Sequence, residues 1–356
     1  MQIVSFSAAS LAVLGIAIAA PRSASADPAP VISGPQVHEN FAVYFIHGPS
    51  APGPVPLTLQ EALAKGSVRV LETGEVNELK IENTGGEDVF IQSGDIVKGG
   101  RQDRVLTMSF VLSPKSGEVA LAAFCVEHGR WSARGGEDST AFASANEAMP
   151  SRKAKLAMRA PRETLAAAPE PGLEDSARQG SAMGVYSRQQ EVWASVASTQ
   201  SNLSQNLSAA VASPSSETSL QLSLENEKLQ KARAAYVEAL QAAGEGKDDI
   251  VGYVFAINGR IGGADVYPSN ALFRKMWPKQ LAAGVTEAIG EAGASRTDAP
   301  APEAAAQFLQ GAEKGSSREE VVNNLSRQEI HDADEALYIE ARRGDGVWVH
   351  RNYLAK

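Results

Sequence analysis

A long run of strand-like sequence precedes every helical segment, and this order limits the folds open to the chain. Between residues 37 and 131, short apolar stretches alternate with charged residues and are separated by turn sequences at residues 83–86 and 113–117. Period-two alternation bounded by Gly, Pro, Asn and Ser is typical of antiparallel strands. The sequence therefore predicts an antiparallel β-rich sandwich or half-barrel over residues 37–131.

Within this part, two strand pairs are predicted. Residues 78–83 and 89–92 flank an Asn-Thr-Gly-Gly turn as a hairpin, and residues 104–112 and 118–126 form two longer strands around residues 113–117. Thr58 followed by Glu61 predicts a capping box for one short helix that ends at Gly66.

Helical spacing of apolar residues dominates after residue 186. Helices are predicted at about 187–207, with Ser187 and Gln190 as a capping box, at 224–243, and after Ser269, with Pro278 as a kink. Asn258 and Gly259 predict a hairpin turn, and residues 335–342 and 347–353 predict a terminal hairpin. We therefore expect an α+β fold in which helices and a mixed α/β carboxyl-terminal part follow the β-rich part.

Two segments are low in complexity. Residues 132–186 are rich in Ala, Ser and Arg and predict a flexible linker, and residues 291–317 predict an insert. Residues 187–356 are expected to pack on the β-rich part, so that residues 37–356 form one composite domain. We interpret a basic run inside this linker as a solvated segment rather than an anion-binding strip. The run consists of Arg152, Lys153, Lys155, Arg159 and Arg162.

The first 26 residues predict a signal peptide. An apolar run ends in Ala24-Ser25-Ala26 before Asp27, although no Lys or Arg precedes that run. Cleavage there would give a periplasmic or extracellular protein without stable membrane insertion. The net charge of −9 argues against a nucleic-acid partner, and the single cysteine, Cys125, excludes an intramolecular disulfide.

Polar residues concentrate at the paired ends of the two longer strands, in residues 93–104 and 124–131. Antiparallel pairing brings the start of the first strand beside the end of the second. We therefore expect one neighbourhood that contains Arg101, Gln102, Asp103, Arg104, Glu127, His128 and Arg130.

Three interpretations of this neighbourhood remain open. Arginines beside bare backbone N–H groups suit an anion, which gives these candidate binding residues: Gly99, Gly100, Arg101, Gln102, Arg104, Arg130 and Trp131. Glu127 or Asp103 could instead act as a general acid or base. Alternatively, the arginines and carboxylates neutralise one another in a buried network under Trp131.

Metal and thiol chemistry receive less support. The sequence has five histidines, and no two have the i, i+4 spacing of a helical zinc site, so neither a metal nor a cofactor is expected. Cys125 lies in an apolar strand and is expected to be a core residue rather than a nucleophile.

Two motifs carry a family resemblance. Residues 99–104, GGRQDR, and 125–131, CVEHGRW, resemble the ADP-ribosylglycohydrolase and rhodanese-phosphatase-superfamily-associated protein domain, an uncharacterised domain family. Asp103 stands where that family more often has Asn, and His128 falls at a variable position. The resemblance implies no reaction, and its link to ADP-ribose enzymes comes from genomic neighbourhood alone.

Two functions follow as hypotheses. The first is a binding or accessory module whose site at residues 99–104 and 125–131 prefers an anionic small molecule or protein partner. The alternative is a hydrolase that acts on a phosphate- or ribose-containing substrate, with Glu127 or Asp103 as its base.

Overall fold

The largest sheet joins strands from both ends of the chain. The computed structural model describes residues 30–159, 174–293, 297–323 and 326–356, so the predicted signal peptide, residues 1–26, lies outside the described residues. All neighbours in this sheet are antiparallel. In spatial order its strands are β1 (Val31–His38), β2 (Phe41–His47), β12 (Ile250–Ile257), β13 (Arg260–Val266), β17 (Trp348–Ala355), β16 (Ala336–Arg343), β15 (Ser326–Asp332) and β14 (Ser316–Asn323).

Two smaller sheets hold the rest of the strand-rich sequence. The first contains, in spatial order, β11 (Phe142–Ala148), β7 (Asp95–Gly99), β8 (Arg104–Leu106), β10 (Glu118–Cys125), β5 (Glu78–Asn83) and β4 (Val68–Glu72). The second contains β3 (Leu57–Thr58), β6 (Val89–Ile91) and β9 (Phe110–Leu112), with β3 parallel to β6.

Helices follow and separate the two strand-rich ends of the chain. The α+β prediction and the terminal hairpin, β16 with β17, are confirmed. The helices are α1 (Leu59–Ala64), α2 (Arg152–Arg159), α3 (Glu174–Asn206), α4 (Leu220–Leu224), α5 (Glu227–Glu245), α6 (Asn270–Gly290) and α7 (Pro302–Ala312).

Local capping signals predict some helix starts correctly. The Thr58 and Glu61 capping box is present, and the Ser269 side chain accepts a hydrogen bond from the Leu272 N–H at the start of α6. The predicted capping box at Ser187 is wrong, because α3 already runs from Glu174 and places Ser187 in its interior.

The predicted hairpin of residues 78–83 with 89–92 is wrong, because β5 and β6 belong to different sheets. Buried Asn83 redirects the chain between them: its Nδ2 donates to the Glu87 carbonyl at 2.8 Å and to the Ser113 carbonyl at 3.1 Å. The predicted strand 104–112 is likewise divided into β8 and β9, and the Ser93 hydroxyl donates to the Thr107 carbonyl at the break.

Ordered elements occupy parts of both low-complexity segments. Within 132–186, β11 pairs with β7, and α2 buries Ala154 and Met158, so 142–148 and 152–159 are not linker. Within 291–317, α7 starts at Pro302 and buries Leu309. Apolar residues in these segments recur at the spacing that buries one face of a helix. The overall composition of the two segments did not indicate this. Residues 160–173 lie outside the described residues.

Helix α6 lies against the largest sheet and joins it to α5. Its buried Trp277 contacts Phe45 of β2 and Tyr253 of β12, with ring centroids 5.5 Å apart in both pairs. The Trp277 indole N–H donates to the Gln241 carbonyl of α5 at 2.9 Å.

Among the described residues, no helix is long and apolar enough to cross a membrane.

Candidate functional site

The register of β8 and β10 brings the two sequence motifs together. Arg104, at the start of β8, is the Cα partner of Cys125, at the end of β10. The turn before β8 starts with two consecutive left-handed glycines, Gly99 (φ 119°) and Gly100 (φ 55°). A Cβ at position 100 would overlap the Phe142 ring, so both the dihedral and the packing require glycine there.

Two buried carboxylates lie at the centre of the site. Asp103 and Glu127 are both 0% exposed. Arg130 Nη2 lies 2.6 Å from Glu127 Oε2. Arg134 bridges the pair, because its Nη1 donates to Asp103 Oδ2 at 3.0 Å and to Glu127 Oε1 at 3.2 Å. The arrangement is a continuous buried ion-pair network.

Hydroxyl and backbone donors occupy further lone pairs of both carboxylates. Ser219 Oγ donates to Asp103 Oδ2 at 2.9 Å, and Ser216 Oγ donates to Glu127 Oε1 through a short hydrogen bond. The Asp103 N–H donates to Glu127 Oε2 at 3.2 Å, and the Gly99 N–H donates to Asp103 Oδ1 at 3.0 Å. Buried carboxylates that accept this many hydrogen bonds are held in one orientation.

The site contains residues that the motifs did not indicate. Arg134 lies in the segment predicted as linker, and Ser216 and Ser219 lie in a Ser-rich loop far along the chain. Another such contact joins Gln189 of α3 to Cys125: the Gln189 amide donates to the Cys125 carbonyl and accepts from its N–H, both at 2.9 Å. The sequence signal that could have indicated Arg134 is its position just beyond the second motif.

The candidate anion-binding residues are mostly enclosed. Gly99 and Gly100 have their N–H groups bonded within the chain, the latter to carbonyls of residues 138 and 141. Gln102 is 4% exposed. Arg104 is 0% exposed, with its Nη1 donating to the Gln102 carbonyl at 2.9 Å.

Trp131 is the exposed end of the site. It is 43% exposed, and the guanidinium carbons of Arg101 and Arg104 lie 5.4 Å and 5.6 Å from its ring centroid. This spacing is that of cation–π contacts. Trp131 therefore covers Arg104 from solvent while it presents its own ring, together with the partly exposed Arg101, at the surface.

The two carboxylates differ in acidity. Burial raises the pKa of Asp103, and the Glu127 charge adds to this although Arg134 opposes it. Burial also acts to raise the pKa of Glu127, but hydrogen bonds from Arg130 and Ser216 outweigh it and lower that pKa. The negative charge of Glu127 is therefore better compensated than that of Asp103.

Cys125 and His128 do not form a nucleophile and base pair. Cys125 is buried, and burial raises the pKa of its thiol to about 11. His128 is exposed and contacts the Trp193 ring edge-on, with centroids 4.5 Å apart. Across the described residues, no group of three or more His, Cys, Asp or Glu side chains is placed to hold a metal ion.

One comparison with known proteins is informative. The family model described as the ARG and Rhodanese-Phosphatase-superfamily-associated Protein domain matches residues 30–354, which include both motifs and nearly every described element. Neither a curated protein nor a solved structure matches the chain. The chain belongs to the ARG and Rhodanese-Phosphatase-superfamily-associated Protein domain family.

Proposed function

We propose that this protein is an exported binding module that recognises an anionic group on a small molecule or a protein partner. The observation that carries this proposal is the pairing of Arg101 with the exposed ring of Trp131. Within the described residues, the Arg101 guanidinium forms no ion pair with a carboxylate. A partner's carboxylate or phosphate would compensate its charge.

The chemistry of this surface suits recognition. Tryptophan and arginine are the residue types that dominate binding energy at interfaces, because they combine large apolar area with directional donors. The Arg101 N–H donates to Glu72 Oε2 at 3.2 Å, and Trp131 directly follows Arg130, which is ion-paired with Glu127, so both residues are held near their positions before a ligand arrives. A surface held in advance loses less conformational entropy on binding.

The same network argues against the hydrolase alternative. A general base needs a lone pair that can reach the substrate, yet Asp103 and Glu127 are fully buried and bonded to arginine and serine. In this proposal the acidic and basic residues of the motifs stabilise the fold, and recognition takes place above them.

Export is supported by the sequence of residues 1–26. Expression with and without these residues tests it: the full chain should reach the periplasm or medium with Asp27 as its first residue, and the truncated chain should stay in the cytoplasm. An unprocessed, cytoplasmic full-length product would contradict export.

Binding is tested by thermal shift and calorimetry of the processed protein against phosphate, ADP-ribose, citrate and an acidic peptide. A ligand of this site should lose about tenfold or more in affinity with Arg101→Gln or Trp131→Ala. The matched control is Arg69→Gln, because Arg69 is 60% exposed and paired with Glu82 on another part of the surface. Equal affinities for Arg101→Gln and the control would reject this site.

Hydrolysis is tested in parallel with phosphate esters and ribosides. Measurable turnover that disappears in Glu127→Gln, while the variant keeps its fold by circular dichroism, would favour the enzyme alternative.

A further inference from the structure

A second cavity lies apart from the motifs, between the start of α2, one face of α3 and the end of α6. Its volume is about 720 Å³, and its wall includes Arg152, Lys153, Thr199, Asn202, Arg260 and Glu287. Cavities of this size hold small-molecule ligands.

Helix α3 presents a polar stripe to this cavity. Ser195, Thr199, Asn202 and Asn206 recur at helical spacing and all line it. The apolar residues of the same helix, such as Val196 and Leu203, are buried in the core on a neighbouring stripe. The Thr199 hydroxyl already donates to the Ser195 carbonyl, and the Asn206 amide donates to the carbonyls of residues 289 and 290. The row therefore offers a ligand the oxygen acceptors of these side chains and the amide group of Asn202.

Three cations line the same cavity from separate elements. Arg152 and Lys153 start α2, and Arg260 follows the tight turn between β12 and β13. In the part of the chain that the structure describes, none of the three is ion-paired to a carboxylate, unlike Arg233 of α5, which pairs with Glu147. Cations that converge on a concave wall without an ion-paired carboxylate favour an anion, because low-dielectric walls strengthen their field.

Two acidic residues, Glu287 and Glu291, line the same cavity as these cations. Glu287 is partly exposed, and its Oε1 accepts a hydrogen bond from the Arg152 N–H at 3.0 Å. The enclosure of its carboxyl raises its pKa to about 7 despite the nearby charges of Lys155 and Arg152, and Glu291 adds to the increase. Near neutral pH, this carboxyl is thus present in both protonated and charged forms.

We propose that this cavity binds a small hydroxylated anion, such as a sugar phosphate or a sugar acid. The cations hold the phosphate or carboxylate, and the polar stripe of α3 binds the hydroxyl groups. Ionised Glu287 would repel the anion, so proton uptake at this residue accompanies binding. The site is independent of Arg101 and Trp131, and either proposal can fail without the other.

Calorimetry tests the site with ribose 5-phosphate, glucuronate, ribose and inorganic phosphate as probes. Ribose 5-phosphate or glucuronate should bind more tightly than ribose and more tightly than inorganic phosphate. Which of the two binds better identifies the anionic group.

Variants assign the roles. Arg260→Gln, at an exposed position, should weaken binding about tenfold or more. Asn202→Leu should abolish the preference for ribose 5-phosphate over inorganic phosphate, and Arg69→Gln should change nothing. Circular dichroism checks that each variant is folded.

The pH dependence of glucuronate binding provides a further readout, since the charge of that probe is constant between about pH 6 and pH 8. Affinity should increase several-fold as the pH falls through this range, and Glu287→Gln should remove the dependence. Failure of both hydroxylated anions to bind at millimolar concentration, or undiminished binding by Arg260→Gln, would overturn the proposal.

Discussion

The guanidinium of Arg134 binds the carboxylate of Asp103 through both terminal nitrogens, at 3.0 Å and 3.2 Å. A bidentate pair of this kind fixes the relative orientation of two chain segments. Here it ties the loop after the second motif to the turn between β7 and β8. Glu127 shares the same guanidinium, so one arginine compensates two buried charges.

Removal of this arginine should be costly. We expect Arg134→Ala to lower the free energy of unfolding by about 3–5 kcal/mol, because it leaves Asp103 buried with its nearest remaining cation, Arg130, 3.6 Å away. Urea unfolding followed by circular dichroism measures the loss. The control Arg327→Ala breaks an exposed pair with Glu319 and should cost at most about 1 kcal/mol. Similar losses for both variants would contradict the network's structural role.

The charge of Asp103 itself should cost stability as the pH rises. The pKa of Asp103 is raised in the folded protein. Asp103 therefore contributes most to the free energy of unfolding at acidic pH, and this contribution is lost as the pH increases through the pKa of the folded protein. Asn at this position does not titrate. The stability of Asp103→Asn relative to the natural protein should therefore increase between about pH 4 and pH 7 in urea unfolding series. A difference that stays constant with pH would refute the assigned direction.

Gly100 tests the steric requirement of the turn. Gly100→Ala must adopt a φ of 55° and also place a methyl group against the Phe142 ring. Gly129→Ala is a matched control, since Gly129 has a φ of 86° and an added methyl group there would have no neighbouring atom within 4 Å. We expect Gly100→Ala to lose about 1–3 kcal/mol more than the control in thermal or urea unfolding. Equal losses would mean that Phe142 moves aside freely.

Cys125 should be chemically silent in the folded protein. Its thiol is buried, and its pKa is raised to about 11, so very little thiolate is present at neutral pH. Iodoacetamide should label it only after denaturation, as measured by mass spectrometry. Rapid labelling of the native protein would show that the end of β10 opens readily.

Local sequence signals predicted the parts of the site that neighbouring strands create. The turn at residues 113–117 returns β10 towards β8, which places Cys125 opposite Arg104 as expected. Thr58 and Asn258 also mark the helix start and the turn that their chemistry predicts. In each instance the information lies within a few residues of the feature.

Residues that reach the site from distant parts of the sequence could not be predicted from local sequence signals. Ser219 donates a hydrogen bond to Asp103 from a Ser-rich loop, and the composition of that loop indicates only a connection between helices. Arg134 lies in a segment without the apolar periodicity of a helix or strand. The division of residues 104–112 into β8 and β9 depends on which sheet each half joins. Such choices are decided by tertiary packing rather than by local preference.

The pairing of β2 with β12 has a consequence for biosynthesis. Phe41–His47 is made early, yet its partner, Ile250–Ile257, emerges only after most of the chain has been synthesised. A pairing between such distant segments must form late, since loop closure precedes it. The largest sheet therefore cannot be completed on a nascent chain that ends before residue 250, and a truncated product of that length would leave β2 paired with β1 alone, with its other edge exposed and prone to aggregation.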